Sequence, residues 1–158
     1  MTLAHTLSSA GQMEDAGALL EKAIDARGPA LCADLKAGRD RVIDMRRALV
    51  ALRVDGGGGD KAQAARDKRM LADDLKDRGD FEEALVLYEE AVAGFIEVHG
   101  QDHPDVAISK FNMALLLRNM DKAAESKQMF TEAAGIFRAA LGADHPHTKM
   151  AERGSADT

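Results

Sequence analysis

The sequence predicts an all-α protein assembled from repeated helical hairpins, and three observations carry that reading. Alanine and leucine, both strong helix formers, dominate the apolar positions, while β-branched and aromatic residues never gather in alternating runs. Apolar residues recur at three- and four-residue spacing, as in Leu71, Ala72 and Leu75, then Ala84, Leu87, Tyr88 and Ala91. The third observation is internal repetition, which governs architecture more strongly than local propensity does.

His103-Pro104 recurs as His145-Pro146, 42 residues later. At the same offset Ala72 matches Ala114, Leu75 matches Leu117, Glu83 matches Glu125, Tyr88 matches Phe130, Ala91 matches Ala133, Phe95 matches Phe137 and Gly100 matches Gly142. A further copy opens the chain, where residues 3–23 (LAHTLSSAGQMEDAGALLEKA) overlay residues 71–91 (LADDLKDRGDFEEALVLYEEA) without a gap, 68 positions apart. Each copy reads as helix, turn, helix, with Gly79 ending the first helix of its copy. Two helices of this size cannot bury both apolar faces alone, whereas stacked copies can.

The elements follow in order. Residues 1–27 form an N-terminal hairpin. Residues 28–54 form a long or kinked helix, a degenerate repeat, with Leu31, Leu35, Val42, Met45, Leu49 and Leu52 at heptad spacing and Gly38 in the remaining slot. Residues 55–61, a glycine run with flanking charges, form a linker; the run lacks the Gly-Lys-Ser/Thr ending and preceding strand of a phosphate loop. Residues 62–100 and 101–142 are two well-formed hairpins, and residues 143–158 begin a truncated repeat. The second helix of the last hairpin, about residues 122–141, needs a cover: a short helix near residues 148–153, a partner molecule, or a second copy through self-association.

The quoted features resemble the tetratricopeptide repeat, carried by Leu71-Ala72, Gly79, Phe81, Ala84, Tyr88 and Ala91. The 42-residue spacing and the stretch HGQDHPDVAISKFNMALLL (residues 99–117) are similar to the kinesin light chain group, which is recognised by a glycine, Asp-His-Pro and a later Asn-Leu-Ala. Here the last triplet is Asn112-Met113-Ala114. The resemblance implies a right-handed superhelical solenoid whose first helices line a concave groove, where an asparagine at the place of Asn112 holds the backbone of an extended peptide. It further implies Leu115, Arg118 and Asn119 on the same face, and Arg66, Arg69, Asp73 and Lys76 from the preceding repeat. The family's heptad segment pairs with a motor heavy chain; residues 31–52 span only three heptads with Gly38 in the seam, so motor binding is not read here.

The chemistry-bearing residues fit the same repeat frame. Asp102-His103-Pro104 reads as helix punctuation: Gly100 permits a left-handed exit, Pro104 suits a first helical turn, and no ligand partner for His103 follows at suitable spacing. In His145-Pro146-His147 the proline directs the two imidazoles apart, and the lone Cys32 is far away in sequence and cannot form an internal disulfide, so no metal is expected. Met70, Met113, Met120 and Met129 fit the apolar stripes as core residues. No activated nucleophile or cofactor fingerprint is present, so neither enzymatic activity nor a cofactor is expected.

The formal charge of −6 gives no basic footprint for nucleic acid. No apolar segment reaches the ~20 residues of a membrane span, and residues 1–17 lack the pattern of a signal peptide, so a cytoplasmic location is expected. Between residues 62 and 148 there are 16 acidic and 10 basic side chains, yet Arg66, Arg69, Lys76 and Arg118 fall on the first helices and Glu82, Glu83, Glu89 and Glu90 on an outward second helix. That segregation suits a partner peptide bearing acidic residues. The leading expectation is a protein-interaction scaffold with kinesin light chain-like cargo or adaptor recognition within it. The alternative is a non-catalytic structural remnant or accessory segment of a larger repeat protein.

Overall fold

The computed structural model describes Lys22, residues 35–55 and residues 60–157. Every regular element among them is helical: α1 (Leu35–Asp55), α2 (Lys61–Arg78), α3 (Phe81–His99), α4 (Pro104–Asn119), α5 (Ala123–Leu141) and α6 (Pro146–Ala156). The hairpin expected over residues 1–27, Leu31, Cys32 and the glycine run at residues 56–59 lie outside the described residues. Each helix packs on the next in chain order, and α2 also touches α4. Such serial contacts are those of a solenoid, in which each hairpin is completed by its neighbours.

Helix ends follow from local chemistry. Gly79 closes α2 at φ 100° and ψ 9°, a left-handed conformation that costs glycine nothing. Its N–H and that of Asp80 both reach the Leu75 carbonyl, at 2.9 and 3.0 Å, satisfying an acceptor the helix leaves open. In the next hairpin Asp121 occupies the equivalent place with φ 59°, the only positive φ among the described non-glycine residues. His103 caps α4: its Nδ1 accepts the Asp105 N–H at 3.2 Å, with Pro104 at the first helical position. His145 repeats this with the N–H of His147 at 3.3 Å.

The core is built where alanines let helices approach and aromatics fill what remains. One cluster joins Ile43, Leu71, Ala72, Leu75, Ala84, Tyr88 and Leu116, a second Ala65, Ala91, Phe95 and Val106, and a third Ala107, Ala133, Ala134, Phe137 and Ala151. Helix α6 covers α5 closely: a Cβ placed on Gly154 would stand 2.7 Å from the Phe130 ring. Met113 and Met120 pack against the core as expected. Met70 does not; it is 38% exposed, and its sulfur receives the Arg46 guanidinium at 3.6 Å. The reason is that α1 presents arginine, not an apolar face, to that side of α2.

Charge sets the register of α1. Arg39, Arg46 and Arg53 recur every seven residues and meet α2 in antiparallel order. Arg53 pairs with the buried Asp67, Arg46 Nε lies 2.5 Å from Asp74 and Arg39 donates to the Asp77 carbonyl at 3.4 Å. Burial pushes the Asp74 carboxyl up, and Arg46 opposes that shift. A second ladder ties Glu83, Glu90 and Glu97 of α3 to Arg47, Lys68 and Lys61. Exposed pairs contribute little to stability, so the second ladder mainly orders an exposed surface.

Candidate peptide-binding face

Helical spacing puts Arg66, Arg69, Asp73 and Lys76 on one face of α2, and Asn112, Leu115 and Asn119 on one face of α4 with Arg118 beside them. Two contacts join the faces. The Asn112 amide donates to Asp73 Oδ1 at 3.1 Å, and Arg66 Nη2 lies 3.6 Å from Asp105 Oδ2. Both link residues 39 positions apart, so α2 and α4 run side by side in the same direction.

Asp73 is the centre of the face. The same Oδ1 accepts the Tyr88 phenol as well as the Asn112 amide, and Lys76 Nζ stands 3.7 Å away. Tyr88 is fully buried. Burial first, then the charge and hydrogen bond of Asp73, push its phenol far above the usual range, while Arg69 opposes the shift. Asn112 therefore uses its amide N–H inside the protein, and its carbonyl oxygen is the group that can accept from a ligand. Arg69 follows the same face with its Nε buried and, among the described residues, without a hydrogen-bond partner. Arg118 is exposed and lies over the Phe130 ring, 5.8 Å from its centroid. Leu115 is half-buried and Asn119 exposed.

Of the eight residues read from the sequence, the structure joins Asp73, Lys76 and Asn112 in one polar cluster, and it ties Arg66 to Asp105 and Arg118 to Phe130. The sequence places Tyr88 on an apolar helix face, and its hydroxyl belongs to the cluster. A signal existed: 42 residues on, Tyr88 becomes Phe130 and Asp73 becomes Leu115. A buried phenol needs an acceptor; a phenyl ring does not.

Two histidine readings change. His103 has neighbours after all, for its ring stacks on that of His99 with centroids 4.2 Å apart, and Asp105 Oδ2 lies 3.5 Å from its Nδ1. Pro146 does not separate His145 from His147, whose centroids are 5.3 Å apart, because one cap turn folds His147 back over Phe137 and toward the capping ring.

Consecutive helical hairpins with a polar stripe across their first helices define a repeat scaffold of the helix-turn-helix solenoid class. The tetratricopeptide repeat model matches residues 60–139, half of the chain, and the protein belongs to that family. No curated protein matches in sequence. Among solved structures the chain is similar to a Podosopora anserina protein described as a kinesin light chain with nearly identical TPR-like repeats, at 17% identity and a TM-score of 0.65, covering 98% of this chain and 81% of that one. It is also similar to BtubC (BKLC) of P. vanneervenii, at 16% identity and a TM-score of 0.57 over 90% of this chain. The chain matches 63% of BtubC's length. These likenesses show a shared all-α solenoid fold. Tetratricopeptide repeats are generally non-catalytic and mediate protein–protein interaction. Among the described residues no helix is long and apolar enough to cross a membrane.

Proposed function

We propose that the protein is an interaction scaffold that binds an extended, acidic peptide of a partner protein across α2 and α4. The observation that carries this reading is the pairing of the two first helices through Asp73 and Asn112, which sets a backbone-reading amide among the cations Arg66, Arg69, Lys76 and Arg118. Asn112 Oδ1 accepts a peptide N–H, and the cations meet carboxylates on the peptide's side chains. Asp73 is the one acid in the set, and it is engaged by Tyr88, Asn112 and Lys76, so the stripe keeps positive character for its ligand. Within this reading, recognition of a cargo or adaptor protein in the manner of kinesin light chain repeats is the finer proposal, supported by the shared fold.

The test uses an array of ten-residue peptides, acidic, neutral and basic, probed with the wild-type chain, Asn112→Ala and the double variant Arg69→Glu, Arg118→Glu. Acidic peptides should be retained selectively. Asn112→Ala should weaken the best of them about tenfold, the equivalent of ~1.4 kcal/mol, and the charge reversal should abolish selectivity with helicity unchanged. Binding that is indifferent to all of these substitutions removes the assignment.

A further inference from the structure

The turn between the two hairpins gathers three groups that the peptide reading does not use: His99 in the last turn of α3, His103 at the cap of α4, and Asp105 in its first turn. One ligand atom from each lies within 4.8 Å of the others. The geometry points to a divalent-metal site of the zinc class at this turn, held by His99, His103 and Asp105 with water completing the shell. This inference is independent of the peptide reading.

The strongest support is an edge length. Zinc bonds of about 2.1 Å to nitrogen and oxygen place two tetrahedral ligands roughly 3.4 Å apart. His103 Nδ1 and Asp105 Oδ2 are separated by 3.5 Å, so this edge is already set by the capping turn. The ligand atoms all lie within 4.8 Å of one another, so the third must close in by no more than about 1.4 Å to reach that edge. His99 can do so because it is exposed and stands at a helix end, and its ring must turn out of the stack on His103, in which the nearly parallel imidazole planes do not converge on one ion. Two imidazoles with one carboxylate suit zinc better than magnesium or calcium, which demand oxygen shells.

What an ion would displace is modest. Asp105 faces Arg66 at 3.6 Å, a pair that is 45% exposed on the arginine side and correspondingly weak. The His103 lone pair would leave the Asp105 N–H for the metal. In exchange the ion would tie the end of α3 to the start of α4, joining one hairpin to the next. The following turn serves as an internal comparison: 42 residues on, His99 is replaced by Leu141 and Asp105 by His147, so the trio occurs once.

Zinc chloride titrated calorimetrically into the tag-free chain, with thermal unfolding in parallel, tests this. The expected result is one ion per chain and a melting temperature that rises with zinc. His99→Leu copies the residue of the following repeat, so the fold should tolerate it; it should weaken binding at least tenfold and abolish the thermal shift, as should Asp105→Asn. A His145→Ala, His147→Ala double variant should bind as wild type. No binding up to millimolar zinc, equal binding by His99→Leu with unchanged helicity, or loss of binding in the His145/His147 variant would each overturn the site.

Discussion

Replacing Tyr88 with phenylalanine removes one oxygen from the most buried polar contact of the candidate face. The phenol is inaccessible and donates to a carboxylate, and hydrogen bonds to charged groups contribute about 1.5–3 kcal/mol. The Asp73 side chain is 33% exposed and keeps Asn112 and Lys76, so the loss should fall at the lower part of that range, about 2 kcal/mol. Asp73→Leu alone strands the phenol without an acceptor, a penalty of about 1–3 kcal/mol. The double variant recreates the Phe130–Leu115 combination of the next repeat and leaves neither group stranded. Its cost should therefore fall short of the sum of the single costs by about 1.5 kcal/mol, within the usual coupling of contacting residues. Urea unfolding followed by circular dichroism for all four proteins gives this coupling directly. Additive costs, agreeing within about 0.5 kcal/mol, would refute the argument that Asp73 is present because Tyr88 carries a hydroxyl.

The same phenol makes alkaline unfolding diagnostic, since Tyr88 is the only tyrosine and there is no tryptophan. Its folded pKa is raised above an unfolded value of about 10, so the stability it contributes is present below that pH and is lost as pH rises beyond it. Phenolate absorbance should appear together with loss of helicity, and its appearance in a fully helical protein near pH 10 would count against the buried contact. At Asp121, glycine should stabilise by about 1 kcal/mol by relieving a left-handed backbone that Gly79 adopts freely in the other hairpin; an unchanged or lower urea midpoint would contradict this.

The repeat, its caps and its alanine–aromatic core were legible because each is written at fixed offsets: Ala72, Leu75, Ala84, Tyr88, Ala91 and Phe95 are all fully buried. The packing of α1 was not. A heptad was read through Gly38, Val42, Met45 and Leu49; Gly38 and Leu49 are buried, but Val42 and Met45 are only half-buried while Ile43, off that stripe, is fully buried in the cluster with Leu71, Leu75 and Tyr88. The seven-residue rhythm that matters there belongs to Arg39, Arg46 and Arg53, and it acquires meaning only once α1 folds back beside Asp67 and Asp74. On the candidate face, helical spacing placed the stripe residues, whereas the bond between Asp73 and Asn112 depends on how far α4 slides along α2. His99 was missed for a related reason: Gly100, at φ 86° and ψ 169°, redirects the chain so that rings four residues apart meet face to face.

The 39-residue step between partners on α2 and α4 is three less than the 42-residue repeat. Successive units are therefore not stacked like rungs but displaced along their own axes, by about 4.5 Å for three residues of helix. That displacement is the axial component of a screw. A strand crossing the helices at right angles would be displaced sideways from equivalent side chains by that same ~4.5 Å at each repeat, so a strand matched to them must cross obliquely. The slope that the proposed peptide must take thus follows from a difference between two numbers, one read from the sequence and one from the fold.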